Sequence, residues 1–293
     1  MSAPARRRRP AHLRSVALRK AKSLAFMGLL WSAAVVALVP LALIVGYVLV
    51  KGVPALNASF FTQTAPPAGV SGGGISQAIV GTLLIVGIAA SMAVPLGILT
   101  AIYLSEYGRG RLCATVRFVA EILLSTPSIV AGAFIWALVV VPMHGFSAIA
   151  GAIALTVLMW PIITRATEET LRLVPNELRE GALALGAPRW KMVLRIVIPT
   201  AGSGILTAVM LALARGLGET APILLTSLGN DFMNTNPTQP TDAVPLRMFA
   251  YAQSAIPEWL QLAWGAAIVL LVTVLLLSIF ARILSDRQQR RLG

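Results

Sequence analysis

The chain has 293 residues, of which 57% are hydrophobic and only 12% charged, about half the charged fraction that covers a water-soluble domain. Its formal net charge of +13 accompanies apolar runs too long for a basic nucleic-acid-binding face, so lipid rather than nucleic acid is the expected surrounding. Cys113 is the sole cysteine and His12 and His144 the sole histidines, which excludes an internal disulfide and leaves no metal or cofactor site at usable ligand spacing.

Residues 1–24 form a basic segment opened by Arg6, Arg7, Arg8 and Arg9. Leu13, Val16, Ala17, Ala21 and Leu24 recur there at helical spacing between Arg14, Arg19 and Lys22. That pattern fits a helix lying on the membrane surface and fits a plain basic anchor equally well. Residues 25–50 carry no charge, and as a helix they would reach about 39 Å across a hydrocarbon core of about 30 Å. This run is longer than the apolar core of a cleaved signal, about 7–15 residues, and is read as an uncleaved anchor.

Uncharged runs follow at 78–104, 122–143, 146–164 and 260–281, each near or above the roughly 18 residues that a span requires. Another, over 200–228, is interrupted by Arg215 and Glu219. The predicted fold class is therefore an all-α integral membrane protein, with six transmembrane helices over residues 25–284 and a short tail at 285–293. Of the 24 basic residues, 21 fall on one side of this topology, only Lys51 and Arg247 on the other, and Arg215 within a span. By the positive-inside rule both termini are expected in the cytoplasm, with residues 165–199 as the longest internal cytoplasmic segment.

That segment reads as a folded knob of two short helices. Leu171, Val174, Leu178, Ala182 and Leu185 recur every three or four residues, Gly186 suits a helix C-terminal cap, and Pro188 suits a first helical turn. Gly181, Ala182 and Gly186 are small enough for close approach of another protein, and Glu180 supplies a hydrogen-bond acceptor. A loop packing only on its own membrane domain is the plainer reading.

The run Glu180-Gly181-Ala182, three residues, Gly186, nine residues, then Ile196-Val197-Ile198-Pro199 resembles the coupling signature of binding-protein-dependent ABC importer permeases. It departs from the Glu-Ala-Ala, Gly, Ile-x-Leu-Pro pattern at Gly181 and Ile198. The resemblance implies that Glu180, Gly181, Ala182, Gly186 and Pro199 dock a dimer of P-loop ATPases, and that a second six-helix permease subunit, related or identical, completes the pathway. No lysine of this chain ends a Gly-Lys-Ser/Thr loop, so ATP hydrolysis is expected in a partner and no catalytic residue is assigned.

Arg215 and Glu219 lie at i,i+4 in Ala214-Arg215-Gly216-Leu217-Gly218-Glu219-Thr220-Ala221-Pro222, expected on one helix face. Charges at such depth cost about 2.5–3.5 kcal/mol each and belong against protein or water. Two roles stand open: a structural pair, or a pathway site where the Arg215 fork meets a tetrahedral oxyanion and Glu219 neutralises it when empty. The Gly-Glu-Thr-Ala-Pro run at 218–222 looks like that of the phosphate-specific permeases of the ABC importer family. Pro127-Ser128-Ile129-Val130-Ala131-Gly132 with Glu121 upstream, and Gly73-Gly74-Ile75 followed by Ala78-Ile79 and Gly81-Thr82, are similar to that subfamily as well; the plainer reading is that Pro127 and Gly132 only kink or pack span three and Glu121 only marks its cytoplasmic end.

The resemblance implies a bacterial inner-membrane importer in which phosphate, delivered by an extracytoplasmic binding protein to 52–77 and 230–258, passes Arg215, Glu219 and Thr220. Sulfate, molybdate or phosphonate carried by the same machinery is the nearest alternative, and a secondary transporter or channel a remote one. Residues 72–74 are expected to end a flexible external loop. Gly69-Val70-Ser71-Gly72 superficially matches a serine-nucleophile motif but has no histidine partner in sight.

Overall fold

The computed structural model describes residues 11–70 and 72–292, with side chains at 11–18, 21 and 286–292 outside that description. The basic run before residue 11, the surface-helix pattern of Leu13, Val16, Ala17 and Ala21, and Ser71 therefore lie outside the described residues or side chains. Two units divide the chain, Met1–Val50 and Lys51–Gly293. The first contains most of α1 (Ala11–Gly52), one unbroken helix with Pro40 inside it. No turn separates a surface-lying segment from the span, and most large apolar side chains from Leu24 to Val50 are exposed in the single chain, Val45 and Val48 being half-buried.

In the second unit, Asn57 caps α2 (Ala58–Thr62) by accepting the Phe60 amide at 2.9 Å. Gly74 sits where a Cβ would fall 2.4 Å from the Ser59 and Phe60 carbonyl oxygens. Gly74 thus lies in a packed turn, with Ile75 fully buried beside it, while Gly72 has open space around it. The long helix α3 (Ser76–Ile102) runs on into a π turn at Tyr103–Tyr107.

The third predicted span is where the structure departs furthest from expectation. α4 (Arg111–Ser125) and the helical stretch Ser128–Met143, which opens with α5 (Ser128–Ile135), meet at 109°. Thr126 is extended at φ −72°, ψ 130°, because a residue before proline is kept out of the helical region, and Pro127 has no amide to continue the ladder. A π turn at Trp136–Val140 leads into α6 (Val141–Met143).

Ser147 caps α7 (Ala148–Arg172), which extends eight residues beyond its apolar core of 146–164. α8 (Asn176–Ala184) follows, and then α9 (Arg189–Met192), which passes through a π turn at Val193–Val197 into α10 (Ile198–Gly218) as one continuous helix. The predicted second knob helix is therefore the start of span five. α11 (Ala221–Thr226), α12 (Val244–Ala252) and α13 (Pro257–Leu292) complete the order. Among the described residues five helices are long and apolar enough to cross a membrane, or six when the bent pair counts as one span.

The core forms where α3 and α10 lie on α7. Small residues make this possible: Ala89, Ala93, Ala152 and Ala212 are fully buried, and a Cβ on Gly97 would fall 2.7 Å from Ile163. In lipid, where apolar burial gains little, such close packing of small residues holds helices together.

Candidate functional site

α8 projects from the end of the unit where α7 stops. Ala182 turns inward onto a cluster with Leu171, Val174, Met192, Val193 and Val197. Gly186 adopts φ +80° and closes the helix by two bonds, its amide to the Leu183 carbonyl at 2.9 Å and the Ala187 amide to the Ala182 carbonyl at 3.1 Å. This double bond pattern needs a left-handed residue, which glycine adopts without strain. Pro188 stands just ahead of α9, one place before the first turn in which it was expected. The three small residues of the signature thus divide their work: Ala182 packs, Gly186 turns, and Gly181 leaves open space around it beside exposed Glu180. Around them Leu173 is 82% and Leu185 90% exposed.

Two ionic networks that sequence reading missed lie at this end, and the first ties the knob down. Arg179 donates from Nη2 to Glu106 Oε1 at 2.9 Å and to the Leu171 carbonyl at 2.7 Å, and from Nη1 to the Val174 carbonyl. It thereby caps the end of α7 and binds the π turn after α3. Glu168, 1% exposed, accepts from Arg117 Nε at 2.7 Å, Arg172 Nη2 at 2.6 Å and Arg165 Nη1 at 3.3 Å. Arg117 also donates to the Leu104 carbonyl at 2.9 Å, which joins α4 to the same π turn. The spacing of Arg165, Glu168 and Arg172 was a readable helical signal; the arrival of Arg117 from another helix was not.

The fifth span breaks at its charges. α10 ends at Gly218, and Glu219 is extended at φ −76°, ψ 124°, so Arg215 and Glu219 do not share a helix face as expected. They meet nevertheless, Arg215 Nε donating to Glu219 Oε1 at 3.2 Å. Arg215 remains 49% exposed and Glu219 14%. Thr220 opens α11, its carbonyl accepting the Leu224 amide at 2.9 Å. α11 packs on α5, and a Cβ on Gly132 would fall 2.6 Å from Pro222 Cα. The two proline-glycine motifs, 90 residues apart in sequence at Gly132 and Pro222, are thereby brought into contact at two broken helices.

At the opposite end from the knob, Arg247 donates from Nε to buried Asp242 at 2.6 Å, from Nη1 to Asp231 at 2.6 Å and from Nη2 to the Asn230 carbonyl at 3.1 Å. Gln77 Nε2 donates to the same Asp242 oxygen at 3.2 Å. Burial pushes the Asp242 carboxyl up against the pull of Arg247. The guanidinium also lies 5.3 Å from the centre of the Tyr251 ring, and burial pushes the Tyr251 phenol up to about 12. The network fastens α12 and the segment before it to the start of α3.

A bundle of long apolar helices with two broken spans and an anchored, solvent-exposed knob defines a multi-pass membrane permease. Residues 93–293 match the family described as binding-protein-dependent transport system inner membrane component, and the chain belongs to that family. It is 45% identical over 240 residues to the phosphate transport system permease protein PstA of Yersinia pestis, covering 82% of this chain and 81% of that one. It is 42% identical over 266 residues to the PstA of Haemophilus influenzae, covering 90% and 94%. With PstA 1 of Mycobacterium tuberculosis it shares 40% over 272 residues, covering 87% and 86%.

Among solved structures, a chain of a bacterial alginate ABC transporter superposes with a TM-score of 0.64 at 17% identity, covering 91% of this chain and 96% of that one. One of the MetNI methionine ABC transporter superposes at 0.54 and 18%, covering 73% and 94%. At such identities the likeness concerns the fold.

Proposed function

We propose that this chain is the permease subunit of an ATP-driven importer that carries inorganic phosphate into the cytoplasm. The observation that carries the reading is the pairing of an exposed coupling knob with a half-exposed arginine in a broken span, in a chain whose relatives are phosphate permeases. The knob end faces the cytoplasm, where it meets a dimer of P-loop ATPases through Glu180 and Gly181. Pro199, in the first turn of α10, joins that docking element to the fifth span. The opposite end receives phosphate from an extracytoplasmic binding protein, and a second six-helix subunit lines the other wall of the path.

The chemistry follows from Arg215. A guanidinium offers two parallel donors to a tetrahedral oxyanion, and charge-assisted bonds of this kind are roughly twice as strong as neutral ones. Glu219 holds that guanidinium at 3.2 Å through a single contact rather than a bidentate fork, and phosphate displaces it. When phosphate leaves, Glu219 returns and the site is neutral again, which lowers the cost of an unpaired charge in the membrane. Nothing in this cycle requires catalysis by the chain itself.

The test is reconstitution of the purified complex, with its ATPase, partner permease and binding protein, in vesicles. ATP-dependent uptake of radiolabelled phosphate, outcompeting sulfate and molybdate, is expected. Uptake of another oxyanion in preference to phosphate would overturn the substrate, and uptake without ATPase would overturn the machine.

A further inference from the structure

α10 buries Ala201, Ile205, Ala208, Ala212 and Gly216, which leaves Thr207, Leu211, Arg215 and Gly218 as an exposed stripe. From Thr207 to Arg215 the stripe rises about 12 Å along the helix axis. On the knob side of Arg215, Thr207 and Leu211 form one wall of a cleft of about 310 Å³, and Ser278, Arg282 and Ser285 of α13 form the other. Those three recur at four and then three residues, which sets them on one face of α13. No ion pair among the described side chains involves Arg282.

We propose that this cleft binds a phosphate group, with Arg282 as its cation and Thr207, Ser278 and Ser285 as its hydroxyl partners. A guanidinium framed by hydroxyls suits a tetrahedral oxyanion, the fork taking two oxygens and the hydroxyls the others. Thr207 and Ser278 donate to the Ser203 and Val274 carbonyls, both at 2.8 Å. Turning the hydroxyl hydrogen alone redirects either toward an anion, with no change of rotamer. Two sources supply this chemistry: orthophosphate passed down the stripe from Arg215, which rests on the proposed function, and the headgroup of an anionic phospholipid, which does not.

The experiment uses the assembled complex in vesicles of phosphatidylcholine with and without phosphatidylglycerol, and reads both radiolabelled phosphate uptake and lipid retained by native mass spectrometry. Arg282→Gln is expected to lower one of the two about tenfold, with Arg282→Lys recovering part of the loss. An equal fall in uptake in both vesicle types assigns the site to free phosphate. Loss of retained phosphatidylglycerol, with uptake falling only where that lipid is present, assigns it to the headgroup.

Unchanged uptake and unchanged lipid overturn the proposal. So does an equal effect of Asp286→Asn, since Asp286 follows Arg282 by four residues in sequence and that result would make Arg282 half of an ion pair. If the parent complex takes up no phosphate while Arg282→Gln still sheds lipid, the functional reading fails and the site stands. Should Arg282→Gln not assemble, Ser285→Leu fills the cleft without altering charge and carries the same test.

Discussion

Arg179 and Glu106 stand 73 residues apart in sequence and 2.9 Å apart in space. One guanidinium therefore ties the knob helix α8 to the turn after α3 while capping the last carbonyls of α7. Glu180, the next residue, is exposed, so adjacent positions face solvent and the helix bundle. On the proposed function, movement imposed on the knob is expected to reach α3 and α7 through this fork.

Arg179→Lys keeps the charge but replaces five donors in a plane by a single ammonium, which cannot span Glu106 and two carbonyls. The ATPase is expected to co-purify as before, while phosphate imported per ATP hydrolysed falls about tenfold. Glu106→Gln should give the same phenotype, and the double variant should be no worse than either alone. An unchanged transport-to-hydrolysis ratio would make the pair mere scaffolding.

Glu180→Lys reverses the charge on the exposed side of α8 and is expected to release the ATPase. Leu185→Asp should weaken the same contact, because a side chain 90% exposed in the single chain contributes little to the fold and is free to serve a partner. Co-purification measures both, and thermal unfolding of the permease itself should be unaltered.

Arg215→Ala is expected to abolish phosphate uptake while the complex still assembles. Glu219→Gln should be milder, since the guanidinium remains and only its resting partner is lost. Normal uptake by Arg215→Ala would remove this residue from the pathway.

Gly132→Val places a branched side chain against the Pro222 backbone, where even a Cβ falls 2.6 Å from Cα. Backbone yields less readily than a side-chain end, so about 1–3 kcal/mol of destabilisation is expected, as for other overpacked contacts. The melting temperature of the purified subunit reads it, with Ala131→Val, a neighbouring position at the same depth, as the comparison.

Arg247→Ala leaves Asp242 buried without its main counter-ion, a loss of about 3–5 kcal/mol for pairs of this kind. Burial already pushes that carboxyl up and Arg247 holds it down, so removing Arg247 sends it further up. A carboxyl whose folded value is raised contributes stability below its unfolded value and loses it as pH rises through the folded one. The deficit of Arg247→Ala is therefore expected to shrink on acidification, in melting curves taken across the carboxylate range.

Much of the site was legible because its signals are local. The Gly186 turn and the meeting of Arg215 with Glu219 each depend on residues within one or two helical turns, whereas Leu178 and Leu185 of the expected apolar row are exposed and the end of α10 before Glu219 was not foreseen. Gly186 was expected as a cap and is one, but Gly181 and Ala182, both read as admitting another protein, face open space and the core respectively, because a signature read as a string does not tell which side of a helix each residue takes. A kink at Pro127 was one plain reading of the sequence, but the bend of 109° at Thr126 is sharper than a kink within one span, since hydropathy over 122–143 weighs composition without weighing the missing amide of Pro127.

By itself the sequence determined the solvent, the number and type of spans and the position of the knob. These follow from runs of apolar residues and from a helix period that needs no distant contact. The tertiary structure alone decided which charges meet: Arg179 with Glu106, Arg117 with Glu168, and Arg247 with Asp242, which a short helix also helps position. It also decided that Gly132 lies against Pro222. The reason is physical. In a low-dielectric bundle a charge must find its partner on whichever helix packing brings near, and that choice is made by the fit of small residues between helices rather than by spacing along one of them.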